Sequence, residues 1–120
     1  MKIIVDTNIL LDSVKFGIDI FHDLAEFGTP VTTDFCVEEL KKLDRKEANL
    51  ALRIIKHAKI KIINTSKLLQ QVKPVDEKIV EIAKLTNSAV ATNDKELIKR
   101  LKMNKIKVFR LRQKKYLSLA

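Results

Sequence analysis

At 120 residues, the chain is long enough to form one domain with its own hydrophobic core. Hydrophobic residues make up 46% of it and only two glycines and two prolines occur, which excludes a disordered or low-complexity chain. The single cysteine, Cys36, excludes an internal disulfide and a cysteine-rich zinc module. Because no apolar run approaches the length of a membrane span and no signal peptide precedes the first strand, we expect a soluble cytoplasmic protein with no membrane partner.

The formal net charge of +9 is concentrated towards the end of the chain. Residues 95–120 contain ten lysines and arginines against one acid, Glu96, whereas positive and negative residues balance over 1–94. A basic segment of this kind can bind the phosphate backbone of a nucleic acid. It can equally be a lysine-rich surface exposed to water, and charge alone does not distinguish the two.

Short apolar segments predict five buried β-strands that alternate with helices. The predicted strands are 3–5, 30–33, 60–63, 89–91 and 106–111. Apolar residues recur with helical spacing between them, with Asn8, Asp34 and Asp94 as candidate N-caps and Asn87 as a candidate left-handed residue at a helix end. We therefore predict one α/β domain over 1–120, with a basic C-terminal strand and tail over 105–120.

Strands that alternate with helices predict a parallel sheet covered by helices on both faces. Right-handed crossovers then bring the carboxyl ends of the strands to one edge. Asp6 and Asp94 each follow a strand, Glu39 lies one turn into a helix after a strand, and Asp76 begins another helix. We expect these four acids to lie above the same edge, where open α/β folds bind their ligands.

Taken singly, the four acids indicate a site to different degrees. Asp6 follows a buried strand with no basic residue close in sequence, an arrangement that is costly unless the carboxylate meets a cation or hydrogen-bond donors. Asp76 and Asp94 are each more typical of helix N-caps. Glu39 alone is more typical of a surface residue.

The combination of acids is more informative than any one of them. Clustered carboxylates raise one another's pKa values, and a bound divalent cation removes that penalty. Mg²⁺ is usually held by a few carboxylates together with waters and phosphate oxygens. Such a site can orient and deprotonate a water for attack on a phosphodiester.

Other chemistries have weaker support. His22 and His57 have no ligand spacing and are typical of surface or packing residues, and Cys36 lies on an apolar helix face typical of a core position. Neither a glycine-rich phosphate loop nor a nucleophile elbow occurs in the sequence. An aspartyl-phosphate phosphatase, which also begins with an aspartate after a strand, is disfavoured because its Asp-x-Asp pattern would require an acid at Asn8.

Four segments of the chain resemble the successive motifs of PIN-domain nucleases. They are Val5-Asp6-Thr7-Asn8-Ile9-Leu10, residues 32–40, Val75-Asp76-Glu77 with Ile79 and Ala83, and Thr92-Asn93-Asp94. The resemblance covers essentially the whole chain, in the expected order and spacing. It implies a PIN-like three-layer α/β/α fold with a parallel sheet of about five strands, and an endoribonuclease activity that depends on Mg²⁺ or Mn²⁺.

The resemblance also implies roles for individual residues. The catalytic acids would be Asp6, Glu39, Asp76 and Asp94, and the metal ligands among them Asp6, Asp76 and Asp94. Asn8 and Thr92 would position a water or a ligand. The helical register and the apolar residues that follow favour Glu39 over its neighbour Glu38 and Asp76 over its neighbour Glu77.

RNA is the expected substrate, held through its backbone by cations of the basic segment. These cations are Lys95, Lys99, Arg100, Arg110 and Arg112. The chain is similar in size to stand-alone VapC-type toxins, which implies an antitoxin protein as a partner and a homodimer. It also resembles small archaeal relatives of the PIN nucleases that process ribosomal RNA. A non-catalytic RNA-binding module is the third alternative, and the intact set of acids counts against it.

Overall fold

The computed structural model describes residues 1–66, 74–112 and 116–120, and for Arg112 and Tyr116 it describes the backbone alone. Strands and helices alternate along these ranges, as the apolar pattern predicts. The strands are β1 (Lys2–Val5), β2 (Thr29–Thr33), β3 (Lys61–Ile63), β4 (Ala89–Ala91), β5 (Val108–Arg112) and β6 (Tyr116–Leu119). The helices are α1 (Thr7–Lys15), α2 (Ile20–Leu24), α3 (Asp34–Leu43), α4 (Lys46–His57), α5 (Val75–Thr86) and α6 (Lys95–Met103).

The strands form a single sheet in the order β3-β2-β1-β4-β5-β6. The first five in this order are parallel to their neighbours, and β6 runs antiparallel to β5, with Phe109 opposite Leu119 and Arg110 opposite Ser118. The prediction of an α/β fold with a parallel sheet is confirmed. Within the described ranges, five strands are parallel, as predicted, and a sixth strand at the end of the basic tail pairs antiparallel with β5.

Helices cover both faces of the sheet, which gives the predicted three layers. Successive side chains of a strand point to opposite faces, and in β1 Ile3 and Val5 join one hydrophobic cluster whereas Ile4 joins the other. The first cluster includes residues of α1 to α4 and the second includes residues of α5 and α6. Burial on both faces explains why the strands are continuous apolar runs rather than alternating ones.

Two of the predicted helix caps are corrected by the structure. Thr33, not Asp34, is the N-cap of α3, and its hydroxyl accepts from Cys36 N–H at 3.2 Å. Asp34 is the first helical residue, and its Oδ1 accepts from the hydroxyl of Thr65 at 2.6 Å. The N-cap of α1 is Asp6, whereas Asn8 lies inside that helix with an exposed side chain. The predicted cap at Asp94 and the left-handed conformation of Asn87, with φ at 51°, are both confirmed.

The order of the strands determines where a ligand can bind. The chain moves outward from β1 to β3 on one side and then resumes with β4 on the other side of β1. The carboxyl ends of β1 and β4 therefore flank the point where the winding direction reverses, which is the usual position of binding sites in such sheets. None of the helices in the described ranges is long and apolar enough to cross a membrane.

Candidate active site

Asp6 is held at the carboxyl end of β1 by hydrogen bonds with three residues. Its backbone N–H donates to the carbonyl of Ala91 at 3.0 Å, which extends the β1–β4 ladder by one residue. Its Oδ1 accepts from Thr7 N–H at 2.8 Å as the cap of α1, and its Oδ2 accepts from the hydroxyl of Thr92 at 2.9 Å. The side chain is buried, with 5% of its surface exposed. Asp6 is thus a fixed carboxylate rather than a mobile surface group.

Thr92 connects the acid after β1 with the acid after β4. While its hydroxyl donates to Asp6, it also accepts from the backbone N–H of Asp94 at 3.2 Å. Asp94 caps α6, and its Oδ1 accepts from Glu96 N–H at 2.9 Å and Leu97 N–H at 3.2 Å. The fully buried Thr92 side chain therefore contacts protein groups that orient the two acids.

The pKa values of the acids show that they act on one another. Burial raises the pKa of Asp6 from 3.8 to about 6, the hydrogen bonds from Thr92 and Thr7 oppose this, and the charges of Glu39 and Asp76 add to it. Burial also raises the pKa of Asp76, and the charge of Asp94 raises it further. Glu39, Asp76 and Asp94 are thereby linked to Asp6 in a single group of like charges at one edge of the sheet.

The two neighbouring acids that could replace Glu39 and Asp76 lie in different surroundings. Glu38 is exposed and forms an ion pair with Lys41 at 3.9 Å. Glu77 is exposed and forms an ion pair with Arg100, also at 3.9 Å. The charges that raise the pKa of Asp6 are those of Glu39 and Asp76. These surroundings support the choice of Glu39 and Asp76 that the helical register favours.

Arg100 is the cation of the basic segment that acts on the acids. Its charge lowers the pKa of Asp76, against the effect of burial. Lys95 and Lys99 are exposed on the same helix, and Arg110 is half-buried in β5. The side chain of Arg112 lies outside the described part of the structure. Arg100 therefore lies close enough to the acids to act on Asp76 and to pair with Glu77.

Cys36 lies near this edge, although it is a core residue as its helical position indicates. Its side chain is fully buried. The pKa of its thiol is raised mainly by burial, and the charges of Asp6 and Glu39 raise it further. His22 and His57 are both exposed, in agreement with their interpretation as residues outside the site.

One residue of the edge has a role that the sequence did not reveal. Asn93 Nδ2 donates to Asp12 Oδ2 of α1 at 2.8 Å, and Asn93 Oδ1 accepts from Leu111 N–H of β5 at 2.9 Å. The side-chain amide thus joins α1 and β5 beside the acids. Its place between Thr92 and Asp94 was the only signal available, and that place is equally typical of a turn.

The chemistry of the edge is compatible with a divalent metal ion. Carboxylate oxygens are the ligands that Mg²⁺ and Mn²⁺ prefer, and the raised pKa values of Asp6 and Asp76 show acids held together with less counter-charge than they need. Among the residues that the structure describes, no group of three or more His, Cys, Asp or Glu side chains is arranged to hold an ion by itself. Mg²⁺ sites in proteins commonly use one or two carboxylates, with waters and substrate phosphate oxygens supplying the rest of the coordination.

Comparison with known proteins identifies the family. The family described as PIN like domain matches residues 3–114. Ribonuclease VapC4 of Methanocaldococcus jannaschii is 33% identical over 135 aligned positions, which cover 98% of this chain and 95% of the relative.

Similar solved structures agree with this match. The PIN domain endonuclease Utp24 has a TM-score of 0.83 at 25% identity, with 98% of this chain and 90% of that chain covered. VapBC2 from Rickettsia felis, solved with a DNA fragment from its promoter, has a TM-score of 0.66 at 16% identity, with 93% and 100% covered, a likeness that concerns the fold alone. The resemblance found in the sequence is thus confirmed, and the chain belongs to the PIN-like domain family.

Proposed function

We propose that this protein is a metal-dependent endoribonuclease that cleaves single-stranded RNA at the acidic edge of its sheet. The observation that carries the proposal is the electrostatic linkage of Asp6 with Glu39 and Asp76, and of Asp76 with Asp94. Its relatives support the same chemistry, since one is a ribonuclease and another is an endonuclease.

Within this proposal, the ion is Mg²⁺ or Mn²⁺ and its ligands are drawn from Asp6, Asp76 and Asp94. A bound ion of this kind polarises a phosphodiester and acidifies a water. Thr92 holds Asp6 in place through its hydrogen bond of 2.9 Å. Glu39 completes the acidic set, close enough to Asp6 to raise its pKa.

The positioning role predicted for Asn8 and Thr92 is refined by their contacts. The Thr92 hydroxyl is engaged by Asp6 and Asp94, so Thr92 would act through these acids rather than on a water or ligand directly. Asn8 is exposed in the first turn of α1, two residues after Asp6. It remains the candidate for contact with RNA or with an attacking water.

The activity is tested by incubating single-stranded RNA with the protein in Mg²⁺, in Mn²⁺ and in EDTA. We expect internal cleavage with either ion and none in EDTA. Asp6→Asn should reduce the rate at least 100-fold, a loss typical of removing one metal-binding or charge-stabilising group. If Asp6→Asn retained wild-type metal-dependent activity, the proposed site would be wrong.

The biological role that we propose first is that of a VapC-like toxin, inhibited by an antitoxin protein. The relative named Ribonuclease VapC4, which aligns over 98% of this chain, supports this role. Induced expression in a bacterial host should arrest growth, and Asp6→Asn should abolish the arrest. A short reading frame for a small DNA-binding protein beside the gene would support the same role.

The second role is RNA maturation, including the processing of ribosomal RNA. The resemblance of the sequence motifs to small PIN nucleases that process ribosomal RNA supports this role, and the similarity to the PIN domain endonuclease Utp24, with a TM-score of 0.83 at 25% identity, agrees with an endonuclease. Cleavage of a small number of precursor RNAs without growth arrest would distinguish maturation from toxicity. A protein that bound RNA but cleaved none in any ion would instead be the non-catalytic module.

A homodimer is the quaternary structure that we propose, with the early helices as the interface. An apolar groove of about 450 Å³ lies between α1, α2 and α4, and its lining includes Val14, Phe21 and Ile54. Leu50, on the same groove, has 42% of its surface exposed. Sedimentation equilibrium of the wild type and of Leu50→Glu would test this assignment, because a charge at this position should favour the monomer.

A further inference from the structure

Lysines are collected at the edge of the sheet opposite the acids. Lys2 begins β1, Lys61 begins β3, and Lys107 immediately precedes β5. Lys59 and Lys105 lie in the turns from α4 into β3 and from α6 into β5. Because β1 to β5 are parallel, all five lie at the amino ends of strands. We call this set the lysine rim: Lys2, Lys59, Lys61, Lys105 and Lys107.

The lysine rim is open to solvent and extends across the sheet. All five side chains are exposed, and none of them forms an ion pair with a carboxylate in the described ranges. Neighbouring strands are about 4.8 Å apart, so β3, β1 and β5 place their lysines in a row about 20 Å long. Glu26, in the turn before β2, is an exposed acid at the same edge. A row of cations with this spacing suits an extended polyanion better than a compact anion.

Two rim lysines occupy backbone conformations that lysine does not favour. Lys59 has φ at 54° and Lys105 has φ at 57°, both in the left-handed region. The equivalent turn between α5 and β4 uses Asn87, with φ at 51°. Asparagine and glycine adopt this conformation at lower cost than lysine. The backbone at Lys59 and Lys105 would therefore favour asparagine, whereas the lysine charge interacts favourably with the carboxyl ends of α4 and α6 and is also available to an anion.

An exposed aromatic residue, Phe27, lies in the turn that leads into the amino end of β2. Phe27 precedes Gly28 and Thr29, and Thr29 is the register partner of Lys2. The Phe27 ring packs on Phe109 of β5, with centroids 5.1 Å apart, yet 49% of the residue remains exposed. Exposed aromatic rings beside cations are the usual platforms for unpaired bases. This combination favours a single-stranded nucleic acid over an acidic protein.

We propose that the lysine rim is a second RNA-binding surface, which holds the backbone of a single-stranded RNA away from the cleavage site. This inference rests on the proposed function, because it assumes that RNA is the substrate. The acidic edge repels phosphates when no ion is bound, so affinity for a long RNA needs cations elsewhere. From Lys95 at the acidic edge to Lys105 at the rim, ten residues at about 1.5 Å each give a separation of about 15 Å. A trinucleotide is too short to reach both edges, whereas an RNA of about 30 nucleotides can.

The test uses Lys59→Asn with Lys105→Asn in one protein, because asparagine suits the left-handed backbone. Binding of a labelled unstructured RNA of about 30 nucleotides is measured by fluorescence anisotropy in EDTA, between about 50 and 200 mM salt. Each lost phosphate contact should reduce the slope of log K against log salt by about 0.7 for a single strand. We expect a slope reduced by about 1.4, and an affinity about 5- to 25-fold lower near 0.1 M salt. The Tm should change little, because the relief of backbone strain and the loss of a favourable charge at each helix end oppose one another, so a folding defect would not account for the loss.

The matched control is Lys42→Asn with Lys46→Asn, two exposed lysines outside the rim that change the net charge equally. We expect this protein to bind the long RNA within about twofold of the wild type. Equal losses in the two double variants, or no loss in the rim variant, would overturn the proposal. Tighter binding to phosphatidylserine vesicles than to RNA, lost in the rim variant, would show that the surface binds membranes instead.

Cleavage assays distinguish a failure of this inference from a failure of the proposed function. In Mg²⁺ the rim variant should cleave a trinucleotide at the wild-type rate, while its KM for the long RNA rises in proportion to the lost affinity. If the wild type cleaved no RNA but still bound RNA through the lysine rim, the proposed nuclease activity would be wrong and the proposed binding surface would be supported. A rim variant whose KM for the long RNA matches the wild type would refute the rim alone.

Discussion

The hydroxyl of Thr92 donates a hydrogen bond of 2.9 Å to Asp6, across 86 residues of sequence. The same hydroxyl accepts from the backbone N–H of Asp94 at 3.2 Å. Thr92 has no exposed surface, so water cannot replace the hydroxyl without a rearrangement. The positions of the two acids that follow β1 and β4 thus depend on one oxygen atom.

Replacing that hydroxyl should change how activity depends on pH. The hydrogen bond from Thr92 lowers the pKa of Asp6, which burial has raised to about 6. In Thr92→Val the pKa should rise further, so the acidic limb of the profile of kcat/KM against pH should move to higher pH. The loss of one buried hydrogen bond should also lower the free energy of unfolding by about 1–3 kcal/mol. Thr92→Ser, which keeps the hydroxyl, is the control, and coincident profiles for the valine variant and the wild type would contradict the assigned role.

Asp6→Asn should stabilise the metal-free protein while it abolishes cleavage. The pKa of Asp6 is about 6 in the folded protein against an ordinary value of 3.8. Between these values the folded state keeps a proton that the unfolded state has lost, so stability falls as pH rises through this range and the loss is complete above about pH 6. At 1.36 kcal/mol per unit, the loss is about 3 kcal/mol. Asparagine carries no charge and avoids this loss of stability. In EDTA at pH 7.5 we therefore expect the free energy of unfolding of Asp6→Asn to exceed that of the wild type by about 1–3 kcal/mol.

The measurement for Asp6→Asn is urea unfolding in EDTA at pH 7.5 and near pH 3.5. The gain should be nearly lost at the lower pH, where the wild-type carboxyl is protonated in the folded state and largely protonated in the unfolded state. Asp94→Asn is the matched control, because asparagine is also a good N-cap and no comparable gain is expected. Equal stability of wild type and Asp6→Asn at pH 7.5 would show that ionised Asp6 is not destabilising.

The fold could be predicted, and the four acids could be proposed as a site, because their signals are local. Ile3, Ile4 and Val5 form an apolar run that ends at Asp6, and a buried parallel strand is the structure that such a run favours. In a parallel sheet with right-handed connections, the carboxyl ends of strands that are distant in sequence lie at one edge. The pattern of strands and helices is therefore enough to predict that the acids lie at that edge. The conformation of Asn87 was likewise predictable, because asparagine after an amphipathic helix is typical of that position.

The remaining features depend on partners that are distant in sequence. Strand β6 (Tyr116–Leu119) exists through its pairing with β5, and four residues carry no independent strand signal. The lysines and arginines of 95–120 form one basic segment in the sequence. In the structure, α6 runs from the carboxyl ends of the strands to their amino ends, so Lys95 and Lys105 lie at opposite ends of the sheet. The role of Asn93 was equally hidden, because its partner Asp12 is 81 residues away.

Glu39 has a neighbouring acid, Glu38, that lies outside the proposed site, so variants of the two can be compared directly. Glu39 and Asp76 raise the pKa of Asp6, whereas Glu38 pairs with Lys41 on the surface. Glu39→Gln and Asp76→Asn should each lower kcat/KM by about 100-fold or more, as expected for groups that bind the ion or its waters. Glu38→Gln should stay within about twofold of the wild type. Single-turnover cleavage at saturating Mg²⁺ measures both, and a larger effect at Glu38 than at Glu39 would reverse the assignment.

The side chains of Asn93 and Asp12 should be able to exchange positions and still form their hydrogen bond. Asn93 Nδ2 donates to Asp12 Oδ2 at 2.8 Å, while Asn93 Oδ1 accepts from Leu111 N–H at 2.9 Å. Asn93→Asp keeps an acceptor for Leu111 but opposes two carboxylates, and should lower the free energy of unfolding by about 1–3 kcal/mol at pH 7. Asp12→Asn alone should cost about 1 kcal/mol.

The double variant Asn93→Asp with Asp12→Asn restores a donor opposite an acceptor with the two groups exchanged. Residues in direct contact show coupling energies of about 0.5–3 kcal/mol in double-mutant cycles. We therefore expect the double variant to unfold within about 0.5 kcal/mol of the wild type in urea at pH 7. If the losses of the two single variants simply added, Asn93 and Asp12 would be independent, and the amide would stabilise the edge through Leu111 alone.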